Sequence, residues 1–556
     1  METGSRAESV VGCFRLSEAL RVLNASLPTG PRSHHGSVWF KESRSRKLRS
    51  RDFVAPREAL QALFSQGQVH ENIIDGVTHL KAPGVPPIQS CKQTEAGLVV
   101  QLERPAVFQQ VLTHIPYYLK SSSSSSGQNV ILNCVPLHGC RSPESLRLSH
   151  LRTILIADHL AAVLRAEGVK VHLVPVLHDE EIKHFLRRLK IDWPADVASS
   201  VPDTILSLKQ NLLECIYAED IEAEMGPQQD QKMLKTNAFC RVRLKEFMEK
   251  HQNLEGYDPN LDVFPVLEGN LRHLAELQRA VAEHTSTTES CRVIHVVTCE
   301  EEFQQQKMDL LWRMVDTGLH TASQKHLVCG PVKVLSCVSP VDASHYFQLR
   351  RSQMHKASVM KYGDLVQGSS WDEIIGILTS AAIRFEMLAT AHRSQINISM
   401  EDAAISTKGT KGGAFMMYNC ARLATLFESY HSAVHQGLYA AFPPISELNF
   451  SSLQEEGEWL LLFNYIIPFS EVLSQSAQIL MSSKGIRITA NTEVICKFLV
   501  NLSMDFSSYY NRVHILGESL PHLFNQMFAR LQLMKAVQEV FHSALATLHI
   551  PPLNQI

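Results

Sequence analysis

A chain of 556 residues, 45% hydrophobic and 20% charged, can bury a large core and should divide into roughly two to four domains. Its formal charge of -3, from 53 Lys and Arg against 56 Asp and Glu, excludes a generally polycationic nucleic-acid binder, so any contact with phosphates has to come from local patches. Twelve cysteines are scattered singly with no CxxC pair, and no apolar run approaches ~18 residues, so the expectation is reduced core thiols, no zinc site, no membrane span and a cytoplasmic setting.

The chain opens with a short helical pattern, Phe14 to Leu27, and then turns basic. Between Lys41 and Arg57 lie seven Lys or Arg (Lys41, Arg44, Arg46, Lys47, Arg49, Arg51 and Arg57) against Glu42 and Asp52, a local balance of +5. Such a run is either a solvated loop or an arm that meets phosphates, and Arg44, Arg46, Lys47, Arg49 and Arg51 are the phosphate-contacting candidates. Gly97 to Leu102 reads as a strand and Ala106 to Leu112 as a helix, giving a small α+β module over residues 1–120. The serines from Ser121 to Ser126, followed by Gly127, form a low-complexity linker that marks a boundary.

From 127 to 395 the pattern is strand, helix, strand. Asn129 to Val135 is a near-continuous apolar run suited to a buried parallel strand, and Leu151 to Leu164 carries a helical stripe. Gly168 ends that helix and Val169 to Val176 supplies the next strand. Val293 to Val297 and Phe303 to Val315 repeat the unit, so a doubly wound α/β domain is expected, with a helical insertion around Thr204 to Leu271. Ligands bind at strand carboxyl ends in such folds, which directs attention to the loop before Leu151.

Residues 396–556 are expected to be all-helical. Phe415, Met416, Cys420, Leu423, Phe427 and Tyr430 recur at three- and four-residue steps, and Leu460, Leu461, Phe463, Leu473 and Leu480 repeat the pattern. Leu520, Leu523, Phe524, Met527, Leu531, Met534, Phe541, Leu545 and Leu548 put one stripe on a long last helix, with Pro521 in its first turn and Pro551-Pro552 beyond its end. None of these helices can bury its stripe alone, so they must pack on one another. Lys408 to Gly413 has the glycine and lysine content of a phosphate loop, but it follows no expected strand and lacks the GxxxxGK[ST] spacing, and it reads as the flexible start of a helix. No HExxH, metal-spaced carboxylate cluster or Gly-x-Ser-x-Gly elbow occurs, so neither a metal site nor a hydrolase is expected.

Lys411 to Phe427 (Lys-Gly-Gly-Ala-Phe-Met-Met-Tyr-Asn-Cys-Ala-Arg-Leu-Ala-Thr-Leu-Phe) and Phe506 to Gly517 (Phe-Ser-Ser-Tyr-Tyr-Asn-Arg-Val-His-Ile-Leu-Gly) resemble the first helix and the aromatic Phe-x-x-x-Tyr segment of the DALR anticodon-binding domain. Ala529 to Ile550 resembles its final helix. With the basic amino-terminal module and the α/β domain in front, the chain resembles an arginyl-tRNA synthetase, a class I enzyme, and is similar to the DALR anticodon-binding domain-containing proteins. The resemblance implies an α/β plus all-α fold: a degenerate class I synthetase-like Rossmann domain, then a C-terminal DALR-type helical bundle, with a small α+β N-terminal module.

Class I synthetases hold ATP with a His-x-Gly-His loop at the start of the first βαβ helix, where the small Gly lets the adenine approach. The aligned stretch is Arg147-Leu148-Ser149-His150, so only His150 matches, and the Ser149 side chain fills space that adenine needs. The second signature, Lys-Met-Ser-Lys-Ser, resembles Gln353-Met354-His355-Lys356-Ala357-Ser358, where only Met354 and Lys356 match. Arg147, Ser149, His150 and Lys356 are thus degenerate ATP-loop positions, which argues against aminoacyl-adenylate chemistry; no catalytic residue and no cofactor are expected.

Residues 397–556 carry nine Lys or Arg against twelve Asp or Glu, a poor balance for non-specific phosphate binding. Reading a looped-out anticodon asks instead for aromatic faces and a few hydrogen-bonding groups. Tyr509, Tyr510, Asn511 and Arg512, with Tyr418, Arg422, Lys497, Arg530 and Lys535 on neighbouring helices, are the candidates, while Tyr418 and one of the paired tyrosines read equally well as core residues with a buried hydroxyl partner. Phosphate attraction falls to Lys41 to Arg57, helped by Arg350, Arg351, Lys356 and Lys361.

Taken with these residues, the resemblance implies a non-catalytic protein that recognises arginine tRNAs through the anticodon arm. The resemblance points further, to delivery of those tRNAs to a methyltransferase that makes 3-methylcytidine in the anticodon loop; no Gly-rich S-adenosylmethionine loop is recognisable, so that partner would perform the transfer. The insertion near Thr204 to Leu271 is the expected docking surface. Two alternatives stay open: an active arginine-tRNA ligase, and a helical protein-binding scaffold without RNA binding. Neither DNA nor a membrane is expected as a partner.

Overall fold

The computed structural model describes residues 13–28, 39–43, 48–64, 67–120, 128–194, 201–219, 238–251, 254–284, 291–316, 318–335, 341–401, 412–481 and 485–555. Arg44, Arg46 and Lys47, the serine tract and Lys408 to Lys411 lie outside them.

The amino-terminal part runs α1 (Leu16–Ala25), β1 (Lys41–Glu42), β2 (Phe53–Pro56), α2 (Arg57–Leu60), α3 (Glu71–Thr78), β3 (Ile88–Thr94), β4 (Gly97–Leu102), α4 (Arg104–Thr113) and α5 (Ile115–Leu119). Its strands pair antiparallel in the order β1-β2-β4-β3. The expected strand at Gly97 to Leu102 is β4, and α1 buries Leu16, Ala19 and Leu23 from one stripe.

The centre holds a parallel sheet of order β11-β10-β5-β6, from β5 (Asn129–Cys134), β6 (Lys170–Val174), β10 (Cys291–Thr298) and β11 (Lys325–Cys329). From β5 the chain runs through α6 (Leu148–Ala166) to β6, and later returns to β10 on the other side of β5. The topological switch of this doubly wound fold therefore lies between β5 and β10. Helix α6 is buried on nearly every side, because the sheet covers one face and later helices cover the other.

Between β6 and β10 come α7 (Glu180–Arg188), α8 (Val201–Leu213), β7 (Ala218–Glu219), β8 (Ala238–Arg243), α9 (Leu244–Lys250), β9 (Val263–Leu267) and α10 (Glu268–His284). The insertion expected to be helical is thus mixed, since β7-β8-β9 form an antiparallel sheet. Its cue was the period-two alternation in β9, where Phe264 and Val266 are buried and Val263 and Leu267 face out. After β10 follow α11 (Glu302–Val315), α12 (Leu319–Ala322), β12 (Val332–Leu335), α13 (Ala343–Tyr362), α14 (Ser369–Leu388) and β13 (Ile396–Ser399), with β12 and β13 paired in parallel.

The C-terminal part comprises α15 (Gly413–His435), α16 (Glu456–Leu461), α17 (Phe469–Ala477), the hairpin β14 (Ile479–Met481) and β15 (Ile488–Ala490), α18 (Val494–Tyr510) and α19 (Pro521–Ala546). Leu480, expected on a helix, lies on β14. Pro521 opens α19 in the first turn, where its missing N–H costs no helical bond. One core cluster runs from the amino-terminal sheet through α6 into the C-terminal helices, and a second fills the space between the parallel sheet and the insertion. Buried Asp52 joins the two ends of the chain: its carboxylate accepts the Leu102 N–H at 2.7 Å and the Trp459 indole N–H at 2.8 Å, with Arg104 3.9 Å away.

Candidate nucleic-acid interface

Helix α18 buries Ile495, Leu499, Leu502, Phe506 and Tyr509, a stripe stepping by three and four residues. Tyr510 follows about 100° round the helix and is half-buried at the surface. The Arg422 guanidinium of α15 lies 4.3 Å from the Tyr510 ring centroid and 5.5 Å from that of Tyr418. It is held there because Nη1 donates to Ser507 Oγ at 3.2 Å and Nη2 to Asn511 Oδ1 at 2.6 Å. Gly413 sets α15 hard against α14, since a Cβ there would run into the Ala381 backbone, and five residues on Tyr418 meets Lys361 of α13. The Lys361 ammonium is 4.3 Å from the Tyr418 ring centroid and 4.8 Å from that of Tyr362, and Tyr362 tilts against Trp371 at 5.3 Å.

These contacts make a surface row in which rings and cations alternate: Trp371, Tyr362, Lys361, Tyr418, Arg422, Tyr510, with Asn511 at the end. The pairs hold one another upright by cation–π attraction, each contributing about 0.5–1 kcal/mol at such exposed positions. Of the residues expected from the sequence, Tyr418, Arg422, Tyr510, Asn511 and Lys361 come together. Tyr362, Trp371 and Ser507 were missed, and nothing local marks them, because the row joins four helices, α13, α14, α15 and α18, that only the fold brings together.

Other expected members are not there. Tyr509 is 1% exposed, its hydroxyl donates to Glu458 Oε1 at 3.2 Å, and its ring rests on Gly457, so it cannot stack on a base. Burial and the Glu458 carboxylate push the Tyr509 pKa up, consistent with a neutral core hydroxyl. Arg530 is likewise structural: Nε donates to the same Glu458 oxygen at 2.8 Å and Nη1 to the His514 carbonyl at 3.2 Å. Lys497 stands 13 residues before Tyr510 on one helix, roughly 20 Å away, and pairs with Glu493 at 3.4 Å. Lys535 is exposed on α19, and among the described residues no ion pair or ring contact ties it to the row. Arg512 is exposed beside Asn511 and donates to the Ser508 carbonyl at 3.1 Å. Arg350, expected to help attract phosphate, is fully buried and paired with Glu386 at 2.8 Å; Arg351 is paired with Asp372 at 3.0 Å.

Of the five phosphate-contacting candidates in the basic arm, Arg49 and Arg51 are described. Arg49 Nε pairs with Glu456 of α16 at 3.0 Å, both side chains well exposed, and Arg51 is half-buried. Glu456 precedes Gly457, on which Tyr509 rests, so Arg49 lies at the same end of the bundle as Tyr510, Asn511 and Arg512.

The crevice at the switch point is filled by the protein's own side chains. Arg147 stands just before α6 and its Nη1 is bonded to Glu300, in the turn after β10. His150 Nδ1 accepts the Arg147 backbone N–H at 3.3 Å, which leaves its Nε2 to face Glu301 Oε1 at 3.2 Å. Burial opposes the Glu301 charge, but the bonds from His150 and Thr298 outweigh it and hold the carboxyl below its usual range. Glu302 is bound by Arg487 through Nε and Nη2, each at 2.6 Å. Ser149 Oγ accepts the Val332 N–H at 3.2 Å and so ties α6 to β12. Gln353 to Ser358, the stretch compared with the second signature, is not a loop but lies within α13, with Met354 fully buried and Lys356 exposed.

Beneath the crevice runs a buried polar chain. His138 Nε2 faces Asn133 Oδ1 at 2.6 Å, Asn133 Nδ2 faces His295 Nδ1 at 2.9 Å, and Asp309 sits between His295 at 3.4 Å and His326 at 2.5 Å. Burial pushes His138 down to about 3 and His295 to about 4. Among the described residues no group of three or more His, Cys, Asp or Glu is placed to hold a metal ion, and no disulfide joins the cysteines there. No helix among them is long and apolar enough to cross a membrane.

Comparison with known proteins first places the class. Residues 14–118 match the family profile "DALR, N-terminal domain" and residues 416–556 match "DALR anticodon binding domain". The fold is that of an arginyl-tRNA synthetase: the Thermus thermophilus enzyme superposes with a TM-score of 0.59 at 14% identity, covering 97% of this chain and 99% of that one. The Plasmodium falciparum arginyl-tRNA synthetase gives 0.59 at 12% identity with the same coverage. Over its whole length the chain is 48% identical to the DALR anticodon-binding domain-containing protein 3 of Rattus norvegicus, spanning 98% of this chain and 99% of that protein. It therefore belongs to the DALR anticodon-binding domain-containing protein 3 family.

Proposed function

We propose that this chain is a non-catalytic, cytoplasmic tRNA-binding protein that selects arginine tRNAs through the anticodon arm and presents them to a methyltransferase forming 3-methylcytidine in the anticodon loop. The observation that carries the reading is the ring-and-cation row from Trp371 to Asn511. An anticodon loop offers unstacked bases, and aromatic and guanidinium faces held upright at the surface stack on them, while Asn511 and Arg422 supply hydrogen-bonding groups for base edges. The basic arm, with Arg49 at the same end, adds the phosphate attraction that the acidic bundle lacks.

The crevice supports the absence of ligase chemistry. Adenylate formation needs preorganised donors where phosphate charge develops. Here Glu300 and Glu301 put carboxylates at the switch point and engage Arg147 and His150, so a triphosphate would meet negative charge and an arginine already paired. The name of the relatives includes anticodon binding, which agrees with an RNA role for the bundle.

Two assays on the purified chain test this. Arginine tRNA is expected to bind at least about 10-fold tighter than an unrelated tRNA, a difference of ~1.4 kcal/mol, with no arginine-dependent ATP–pyrophosphate exchange above a no-protein control. Equal affinity for both tRNAs favours the scaffold reading, and exchange abolished by His150→Ala establishes the ligase reading instead.

A further inference from the structure

Helix α8 of the insertion divides sharply. Ile205, Leu208 and Leu212 are buried against the second core, while Leu206 and Leu213 are 64% and 66% exposed. Leu206, Lys209, Leu213 and Ile216 step by three, four and three residues and so share one outward stripe, which Ile216 extends just past the helix at 72% exposure. Lys209, in the middle of the stripe, is paired with Glu268 at 2.9 Å; Leu267, next to Glu268 at the end of β9, is 40% exposed. Two exposed carboxylates, Asp203 and Glu214, flank the stripe on one side, a turn from Leu206 and beside Leu213. Scattered single leucines on a surface need no explanation, but a helical stripe of them joined to a strand end does.

We infer that this stripe, Leu206, Leu213 and Ile216 with Leu267, is a protein-docking surface for the RNA-modifying enzyme, taken up by an apolar groove with a basic rim. The charge settles the kind of occupant. A phosphodiester chain would bring negative charge to a surface where Lys209 is paired with Glu268, where Arg243, which donates to the Ile216 carbonyl, is paired with Glu219 and Glu246, and whose flank carries the exposed carboxylates of Asp203 and Glu214. An enzyme that handles RNA carries basic surface, and its rim complements Asp203 and Glu214. An amphipathic helix laid in a groove is anchored by residues at this spacing. The inference rests on the proposed delivery role, which names the partner, and it adds the residues through which the two proteins meet.

The test uses the full chain, arginine tRNA and a purified tRNA 3-methylcytidine methyltransferase. Leu206→Glu/Leu213→Glu is expected to weaken binding of the enzyme at least about 10-fold, because buried anchors at the centre of an interface carry most of its energy. Asp203→Lys/Glu214→Lys is expected to weaken it further at low salt than at high salt. Both pairs are exposed, so folding is retained, and affinity for arginine tRNA stays at the wild-type value. Unchanged enzyme binding in both variants overturns the inference. So does a matching loss of tRNA affinity, which would make the stripe part of the RNA surface, and so does a wild-type chain that binds arginine tRNA but not the enzyme. Enzyme binding through the stripe by a chain that does not distinguish tRNAs would leave this surface standing and refute the selection of arginine tRNA.

Discussion

Replacing Tyr418 and Tyr510 together by leucine isolates the stacking that the proposed interface depends on. Leucine keeps most of the apolar contact of two half-buried rings, and Arg422 keeps its bonds to Ser507 and Asn511, so the bundle should lose chiefly the three cation–π pairs those rings make, about 1.5–3 kcal/mol in all. What disappears is the π-face on either side of the guanidinium. A base stacked on an aromatic side chain contributes ~1–3 kcal/mol, so two lost stacks correspond to ~2–6 kcal/mol. Even the lower end is roughly 30-fold in Kd at 1.4 kcal/mol per tenfold. The assay is fluorescence anisotropy with a labelled arginine tRNA anticodon stem-loop, run beside thermal unfolding. An affinity within twofold of wild type, in a variant that still unfolds in one cooperative transition, would refute the assignment of the row to RNA.

Neutralising Arg49 and Arg51 together with Arg44, Arg46 and Lys47 should weaken all tRNAs about equally and flatten the dependence of log Kd on log salt by about 0.9 for each phosphate contact removed; selective loss of arginine tRNA would contradict a phosphate role. Tyr509→Phe should cost about 1 kcal/mol in urea unfolding, by removing one bond to buried Glu458, while tRNA affinity stays unchanged; the opposite pattern would return Tyr509 to the interface. Stability should also fall from pH 7 to pH 5. His138, His159 and His295 are held by burial at about 3, about 4 and about 4, below the ordinary 6.5, so the unfolded chain takes up protons that the folded chain refuses. Each contributes about 2 kcal/mol of loss at pH 5, and Glu276, raised by burial to about 7, offsets one of them. A midpoint that rises on acidification would contradict the buried, neutral state of these imidazoles.

Much of the fold was legible because it is written in periodicity. The buried strand β5, the stripe of α6 and the long α19 each repeat apolar residues at the spacing their structure needs. The same rule separates the paired tyrosines: Tyr509 continues the stripe Ile495, Leu499, Leu502, Phe506, whereas Tyr510 falls off it, so the sequence already held the correction. Arg350 shows the converse. It sits within the buried stripe Tyr346, Phe347, Met354, and only its tertiary partner Glu386, 36 residues on, explains how a cation tolerates that place. The carboxylates of Glu300 and Glu301 were passed over because their meaning depends on standing opposite Arg147 and His150 across the switch point. The sheet of the insertion was missed because β7 has only two residues and its strands alternate with helices α8, α9 and α10.

The most direct measurement is a site-by-site map of 3-methylcytidine in the tRNAs of cells lacking this protein, with the wild-type chain restored as a control. Arginine tRNAs are expected to lose the modified base and regain it on restoration, while other tRNAs that carry 3-methylcytidine keep it throughout. An unchanged level in arginine tRNAs, or an equal loss from every tRNA that carries the base, would contradict selective delivery.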